Sequence, residues 1–257
     1  ICMDNLELYL TFAITWWYLI AVFTGAGLVV YRLFGLEVRR VETLFLAFWT
    51  GWALLIAFLH FWNFVAPVDS TSRVFFTGFG ALGIVWNFRA LMRLFFRLRI
   101  GQVLFFLFFI TYTLWVANRS IDVPTWMWDM GMYHMDAIKW ANAYPVVPGL
   151  GDLHSRLGFS SSFFLFPAWI NVAPWHDKTF HIANSLLYLV LGAQMMRSVF
   201  VIVRTRRVEF HHLFNALFVP ILWAYMLFDE TIPNISNDPP IFAIGLLIAS
   251  QVLTLMY

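Results

Sequence analysis

Seven runs of about 20 apolar residues recur along the chain, at 8–31, 43–66, 74–96, 101–117, 180–203, 210–228 and 240–257. Each is long enough to cross the hydrocarbon layer of a bilayer as an α-helix. Within lipid every backbone N–H and C=O must be satisfied by the protein itself, which leaves helices and closed barrels as spanning structures. Runs of this length select the helix. The expected fold class is therefore an all-α polytopic membrane protein. It comprises one transmembrane domain over 1–257, about seven spanning helices and a loop outside the membrane that carries interfacial helices. Only 12% of the residues are charged, about half the share in a soluble domain. The stretch 160–173 is apolar but short and contains Pro167, which suits a half-inserted or interfacial helix better than a crossing.

Orientation is read from Lys and Arg, which gather on the cytoplasmic side. Arg32, Arg39 and Arg40 follow the first run; Arg89, Arg93, Arg97 and Arg99 lie between the third and fourth; Arg197, Arg204, Arg206 and Arg207 follow the run at 180–203. Placing all three groups inside requires that 160–173 does not cross. The N-terminus, the Asp69 loop, the 118–160 loop and the Asp229–Pro240 loop are then outside.

Several function classes drop out. A net charge of +2 gives no electrostatic footprint for nucleic acid. The single cysteine, Cys2, allows no internal disulfide framework and no Cys-based zinc site. The first apolar run is too long for a cleaved secretory signal. The chain opens Ile-Cys-Met and ends inside an apolar run, so it reads as the N-terminal portion of something larger.

The long polar interruption, Asn118–Ser162, is where chemistry is expected. Loops of that length are usually functional or disordered, and its many Trp, Tyr and Met residues argue against disorder. Pro124 with Trp126 and Trp128 reads as an interfacial anchor. From Asp129 to Tyr144 the pattern is helical: Asp129, Tyr133, Asp136 and Trp140 fall on one stripe, with Met132, Met135 and Ala143 on a neighbouring face. Pro145 and Pro148 end the helix and Gly149–Gly151 makes a turn. Asp152, His154 and Arg156 then present an acid, an imidazole and a guanidinium within five residues.

These residue types suit an anionic, hydroxyl-rich substrate. Asp129 can take a proton from an acceptor hydroxyl, and Arg156, with Lys139 or His154, can hold a phosphate in the forked geometry of a guanidinium. The plain alternative is that the charges only solvate a surface loop. The loop names no cofactor. Asp129 and Asp136 are separated by about 10 Å of helix rise, and no Asp-x-Asp or adjacent acid pair occurs there, so support for a divalent metal is weak. Asp229-Glu230 is an adjacent pair in the next outer loop, where it either approaches the site or marks a helix end. His181, with Asn184 at the start of the 180–203 helix, is a further candidate contact.

The stretch from Trp128 to Phe164 resembles a group of bacterial multi-spanning proteins. The matching positions are Asp129, Gly131, Tyr133 and His134, then Tyr144, Pro145, Val147, Pro148, Gly149 and Leu150. His154, Arg156, Leu157, Phe159, Ser161 and Ser162 complete the match, and Ile235–Pro239 matches a later element loosely. That group resembles the GT-C glycosyltransferase superfamily. The resemblance implies a GT-C-like fold in a bacterial inner membrane, a polyprenyl-phosphate sugar as lipid-linked donor, and transfer to a hydroxyl at the outer face. It makes Asp129 the catalytic or acceptor-binding acid, with His134, His154 and Arg156 as substrate contacts; Tyr133, Asp136, Lys139, Asp152 and His181 join them as candidate binding residues. Two features depart from familiar members: four apolar runs precede the acidic loop, and the acidic pair of several subfamilies is missing. The expected partners are the lipid-linked donor and membrane lipids, without nucleic acid. A ligase or polymerase of lipid-linked glycans would use similar substrates. The competing classes are a transporter or flippase of lipid-linked or anionic substrates, which calls for broken helices or paired charges near the midplane, and a non-catalytic subunit, which calls for the loop to be buried against a partner.

Overall fold

The computed structural model describes residues 5–38, 40–95, 100–121, 128–158, 161–228 and 232–256. In chain order the helices are α1 (Asn5–Leu33), α2 (Val41–Asn63), α3 (Ser70–Trp86), α4 (Phe88–Phe95), α5 (Ile100–Ser120), α6 (Met135–Ala143), α7 (Leu150–Leu153), α8 (Leu165–Ile170), α9 (Ala183–Thr205), α10 (Phe210–Phe228) and α11 (Asp238–Met256). Six of them, α1, α2, α5, α9, α10 and α11, are long and apolar enough to cross a membrane. The protein is an integral membrane protein.

The third apolar run departs from expectation. Instead of one straight span over 74–96, α3 and α4 meet at a bend of 63° and count as a span only as a bent pair. The break falls at Asn87, whose Nδ2 donates to the Leu28 carbonyl at 3.3 Å and the Gly83 carbonyl at 3.0 Å. In α4 Leu91 is buried while Arg89 and Arg93 are exposed. Two guanidinia on one short helix are expensive inside hydrocarbon, so the chain turns as soon as they begin.

Contacts between helices fix their directions. Trp49 Nε1 donates to Gln194 Oε1 at 2.8 Å and Arg197 pairs with Glu42 at 2.9 Å, which sets α2 and α9 antiparallel. Tyr112 stands against Gly192 and Tyr188, and Phe105 against Phe200, so α5 opposes α9. His212 and Asn215 approach Ser198 while Tyr225 approaches Tyr188, so α10 opposes α9 as well. As a result Arg32, Arg40, Arg93, Arg197 and Arg204 all lie at one end of the bundle, where they border shared cavities. Arg39, Arg97 and Arg99 lie outside the described residues.

The opposite end carries α6, α7 and α8. With six residues, α8 rises only about 9 Å and cannot cross, so α9 begins at the end where α5 finished. Its side chains Phe166, Trp169 and Ile170 are buried. Phe166 lies 5.8 Å from Phe23 and 6.2 Å from Trp52, and Trp169 lies 6.1 Å from Phe76. It is a wedge among α1, α2 and α3. Asn142 ties α6 to it: its Nδ2 donates to the Val68 carbonyl at 2.7 Å and the Ala168 carbonyl at 2.8 Å, and its Oδ1 accepts from Asn171 at 2.7 Å.

Candidate functional site

The helix that carries the site starts with a π-helical turn. It runs over Met130–His134, and the Met135 N–H donates to the Met130 carbonyl, five residues back. Such turns accommodate one extra residue per turn and are frequent at functional sites. Here the turn rotates the following face. The side chains packed inward are His134 and Ile138, with Asn142 half-buried behind them; Met135 packs partly against the core, while Met132, 48% exposed, and Ala143 face outward.

Asp129 precedes this turn, and its carboxylate forms an ion pair with Arg156 Nη1 from 27 residues away. Both side chains are roughly half open to solvent, 53% for Asp129 and 41% for Arg156. The Arg156 guanidinium also lies 5.3 Å above the Tyr133 ring. Tyr133 meets His134 edge-on at 4.3 Å, and His134 lies 5.0 Å from Phe164. Four of the predicted residues, Asp129, Tyr133, His134 and Arg156, are thus in one continuous group.

Burial sets the protonation of this group. His134 is 5% exposed, and desolvation lowers its pKa to about 4 against the pull of the Asp129 and Asp238 carboxylates. The same burial raises Tyr133, helped by Asp129. Near neutral pH His134 is a neutral imidazole, and its Nδ1 is buried without a partner. A folded pKa below the unfolded value near 6.5 means that protons favour the unfolded state. The contribution is intact above about pH 6.5 and is lost as pH falls toward 4. The melting temperature should therefore fall more between pH 7 and pH 5 for the wild type than for His134→Gln. Equal slopes in a thermal melt series would show that His134 does not titrate this way.

The other candidates fall elsewhere. Asp136 is exposed, and no ion pair holds it among the described residues. Lys139 lines a separate cavity with Asp69, Arg73 and Asn171. Gly149 caps the start of α7 with a φ of 85°, which a glycine adopts without strain, and Asp152 lies within that short helix, exposed. His154 is half-buried, with an Nδ1 that has no partner. His181 is engaged with α1 and α5: its Nδ1 is 2.6 Å from the Ser120 carbonyl oxygen and its ring lies against Phe12 and Trp175. Of the Asp-Leu-His-Ser-Arg cluster, only Arg156 reaches Asp129.

A residue not among the leading candidates also acts here. Asp238 opens α11, and its charge acts on both Tyr133 and His134. Beside it, Asn184 is fully buried; its Nδ2 donates to the Ser236 carbonyl at 3.1 Å, and its Oδ1 has no partner. Asn234 is 1% exposed with an unpartnered Nδ2. The signal was present as polar residues flanking apolar runs, with the Ser-Asn-Asp-Pro stretch at 236–239. A cavity of about 320 Å³ adjoins the group through Phe164 and is walled by Trp140, Tyr144, Ser161, Ser162 and His60. Asp229-Glu230, Asp122, Pro124, Trp126 and Phe159 lie outside the described residues. Among the described residues, the one group of three side chains placed to share a metal is Glu209, His211 and His212, at the basic end and not in this site.

A family model described as a domain of unknown function (DUF8201) matches residues 10–257. The chain belongs to that family. No curated protein and no solved structure matches it.

Proposed function

We propose that this family member is a membrane glycosyltransferase with a GT-C-like fold, which moves a sugar from a polyprenyl-phosphate donor to a hydroxyl acceptor at the outer face of a bacterial inner membrane. The observation that carries the reading is the pairing of Asp129 with Arg156 beside Tyr133 and the buried, neutral His134. A carboxylate and a guanidinium held together at a membrane face form a unit that a phosphate can open. The donor phosphate takes the guanidinium in a bidentate grip, and the carboxylate is released. Asp129 then accepts the proton of the acceptor hydroxyl, the hydroxyl oxygen bonds to the anomeric carbon, and the bond from that carbon to the phosphate oxygen breaks. Arg156 stays with the departing phosphate. The aromatic and hydroxyl walls of the neighbouring cavity, Trp140, Tyr144, Ser161 and Ser162, suit a sugar ring. The outer placement rests on the arginines at the opposite end of the bundle.

The test is transfer of labelled sugar from a panel of polyprenyl-phosphate sugars by the full-length protein in liposomes. Arg156→Lys keeps the charge and loses the fork. It should raise KM for the donor and lower kcat/KM by about 10- to 100-fold, the equivalent of hydrogen bonds to a charged group. Transfer unchanged in Arg156→Lys would remove Arg156 from the phosphate, and no transfer by the wild type across the panel would sink the reading.

A further inference from the structure

The basic end of the bundle holds two cavities, about 820 and 1130 Å³, which adjoin through shared walls at Arg40, Leu94, Gln102 and Arg204. Among the described residues, five guanidinia line this space from separate parts of the chain: Arg32, Arg40, Arg93, Arg197 and Arg204. Fewer carboxylates line it among the described residues. Glu42 holds Arg197 at 2.9 Å, Glu209 approaches His211 at 3.7 Å, and Glu37 also has a partner.

The cavity is more than a charged rim. Arginines gather at this kind of interface on orientation grounds alone, and Arg206 and Arg207, which line neither cavity, are of that sort. Arg197 differs: it lies within the α9 span and its side chain is only 15% exposed. Beyond it the crevice runs along the spans between Gln194, Ser198, Asn215 and Ser250. Asn215 Nδ2 donates to Ser198 Oγ at 3.1 Å, and Gln194 uses its Oε1 on Trp49 Nε1, which leaves its amide N–H groups to the crevice. An ionisable group such as Arg197 inside a membrane helix is expensive and marks a functional path by default, and here polar side chains of α9, α10 and α11 line the crevice beyond it.

We propose that this crevice is a second binding site, for a phosphate ester or diphosphate group. Its guanidinium forks match phosphate oxygens, and its volume exceeds that of a single inorganic ion. Two sources share that chemistry, an acidic lipid headgroup and a soluble phosphate compound. The site stands at the opposite end from Asp129, so it does not depend on the transferase reading.

The experiment is thermal unfolding of the full chain in nanodiscs. One arm adds inorganic pyrophosphate to phosphatidylcholine discs, and the other replaces part of the phosphatidylcholine with phosphatidylglycerol. A ligand of the folded state raises the melting temperature. Pyrophosphate active in phosphatidylcholine points to a soluble ligand; a rise only with phosphatidylglycerol points to a lipid headgroup. Either rise should vanish in the Arg40→Gln/Arg204→Gln double variant and persist in Arg206→Gln/Arg207→Gln, which removes equal charge outside the crevice. All of the substituted arginines are exposed, so folding is spared. Where pyrophosphate raises the melting temperature, labelled pyrophosphate bound to the wild type should be displaced by unlabelled pyrophosphate and not by chloride at matched ionic strength. The proposal fails if neither addition raises the melting temperature, or if the two double variants lose the rise equally.

Discussion

Asp129→Asn should lower sugar transfer by about 10²- to 10⁴-fold, the range in which a positioned general base contributes, while the protein melts almost where the wild type does. The two halves of this expectation have different causes. The amide keeps the size of the carboxylate but cannot accept the acceptor proton, so chemistry suffers. Stability is spared because the ion pair to Arg156 is roughly half open to water at both ends, and exposed pairs contribute about 0–1 kcal/mol. A purely structural pair gives the reverse pattern: Asp129→Asn and Arg156→Gln then shift the melting temperature alike and leave transfer untouched. Measuring kcat, KM and melting temperature for the variant in liposomes separates the two. A fall in kcat with a preserved melt supports the base, and an unchanged kcat removes Asp129 from the chemistry.

How much of this was legible depends on the length scale. Spans, their directions and the failure of 160–173 to cross follow from the run of apolar residues and the placement of arginines. Both are averages over many residues and survive local surprises. The bend at Asn87 was not legible, because a single asparagine followed by Arg89 and Arg93 does not by itself interrupt a run over 74–96 that is otherwise almost wholly apolar. In the loop, the sequence supports a helix from Asp129 onward but not its π turn. One extra residue in that turn moves His134 and Ile138 inward and sends Lys139 toward the cavity at Asp69 and Arg73. The partner of Asp129 was equally hidden. Arg156, His154 and Lys139 are alike as candidates in sequence, and it is the path of the chain through the Gly149 turn and the short helical turns after it that brings Arg156 back over Tyr133. Asp238 acts on Tyr133 and His134 from a distant part of the chain, a separation that no local pattern reports.

The largest stability loss is expected from Gly51→Ala. The α1, α2 and α3 helices approach at glycines: a Cβ on Gly51 would fall inside the Phe23 carbonyl, and one on Gly83 inside the Gly25 carbonyl. Small residues of this kind let backbones in a membrane come close enough for dispersion to hold them, since lipid tails compete away any hydrophobic drive. The obstacle at Gly51 is backbone, so no rotamer change relieves it and the two helices must move apart. Overpacking of that sort destabilises by about 3 kcal/mol at the upper end of its usual range. Separation also loosens the α8 wedge, because Phe166 packs between Phe23 and Trp52, and through Asn142 it disturbs the helix that carries Tyr133 and His134. Gly78 is the internal control. A Cβ there meets nothing within 4 Å, and Gly78→Ala should gain up to about 1 kcal/mol from helix propensity. Thermal melts of the two variants in the same detergent should move in opposite directions. If Gly51→Ala melts no lower than Gly78→Ala, the α1–α2 contact is looser than its geometry implies, and the frame beneath the Asp129 site is held by something other than close backbone packing.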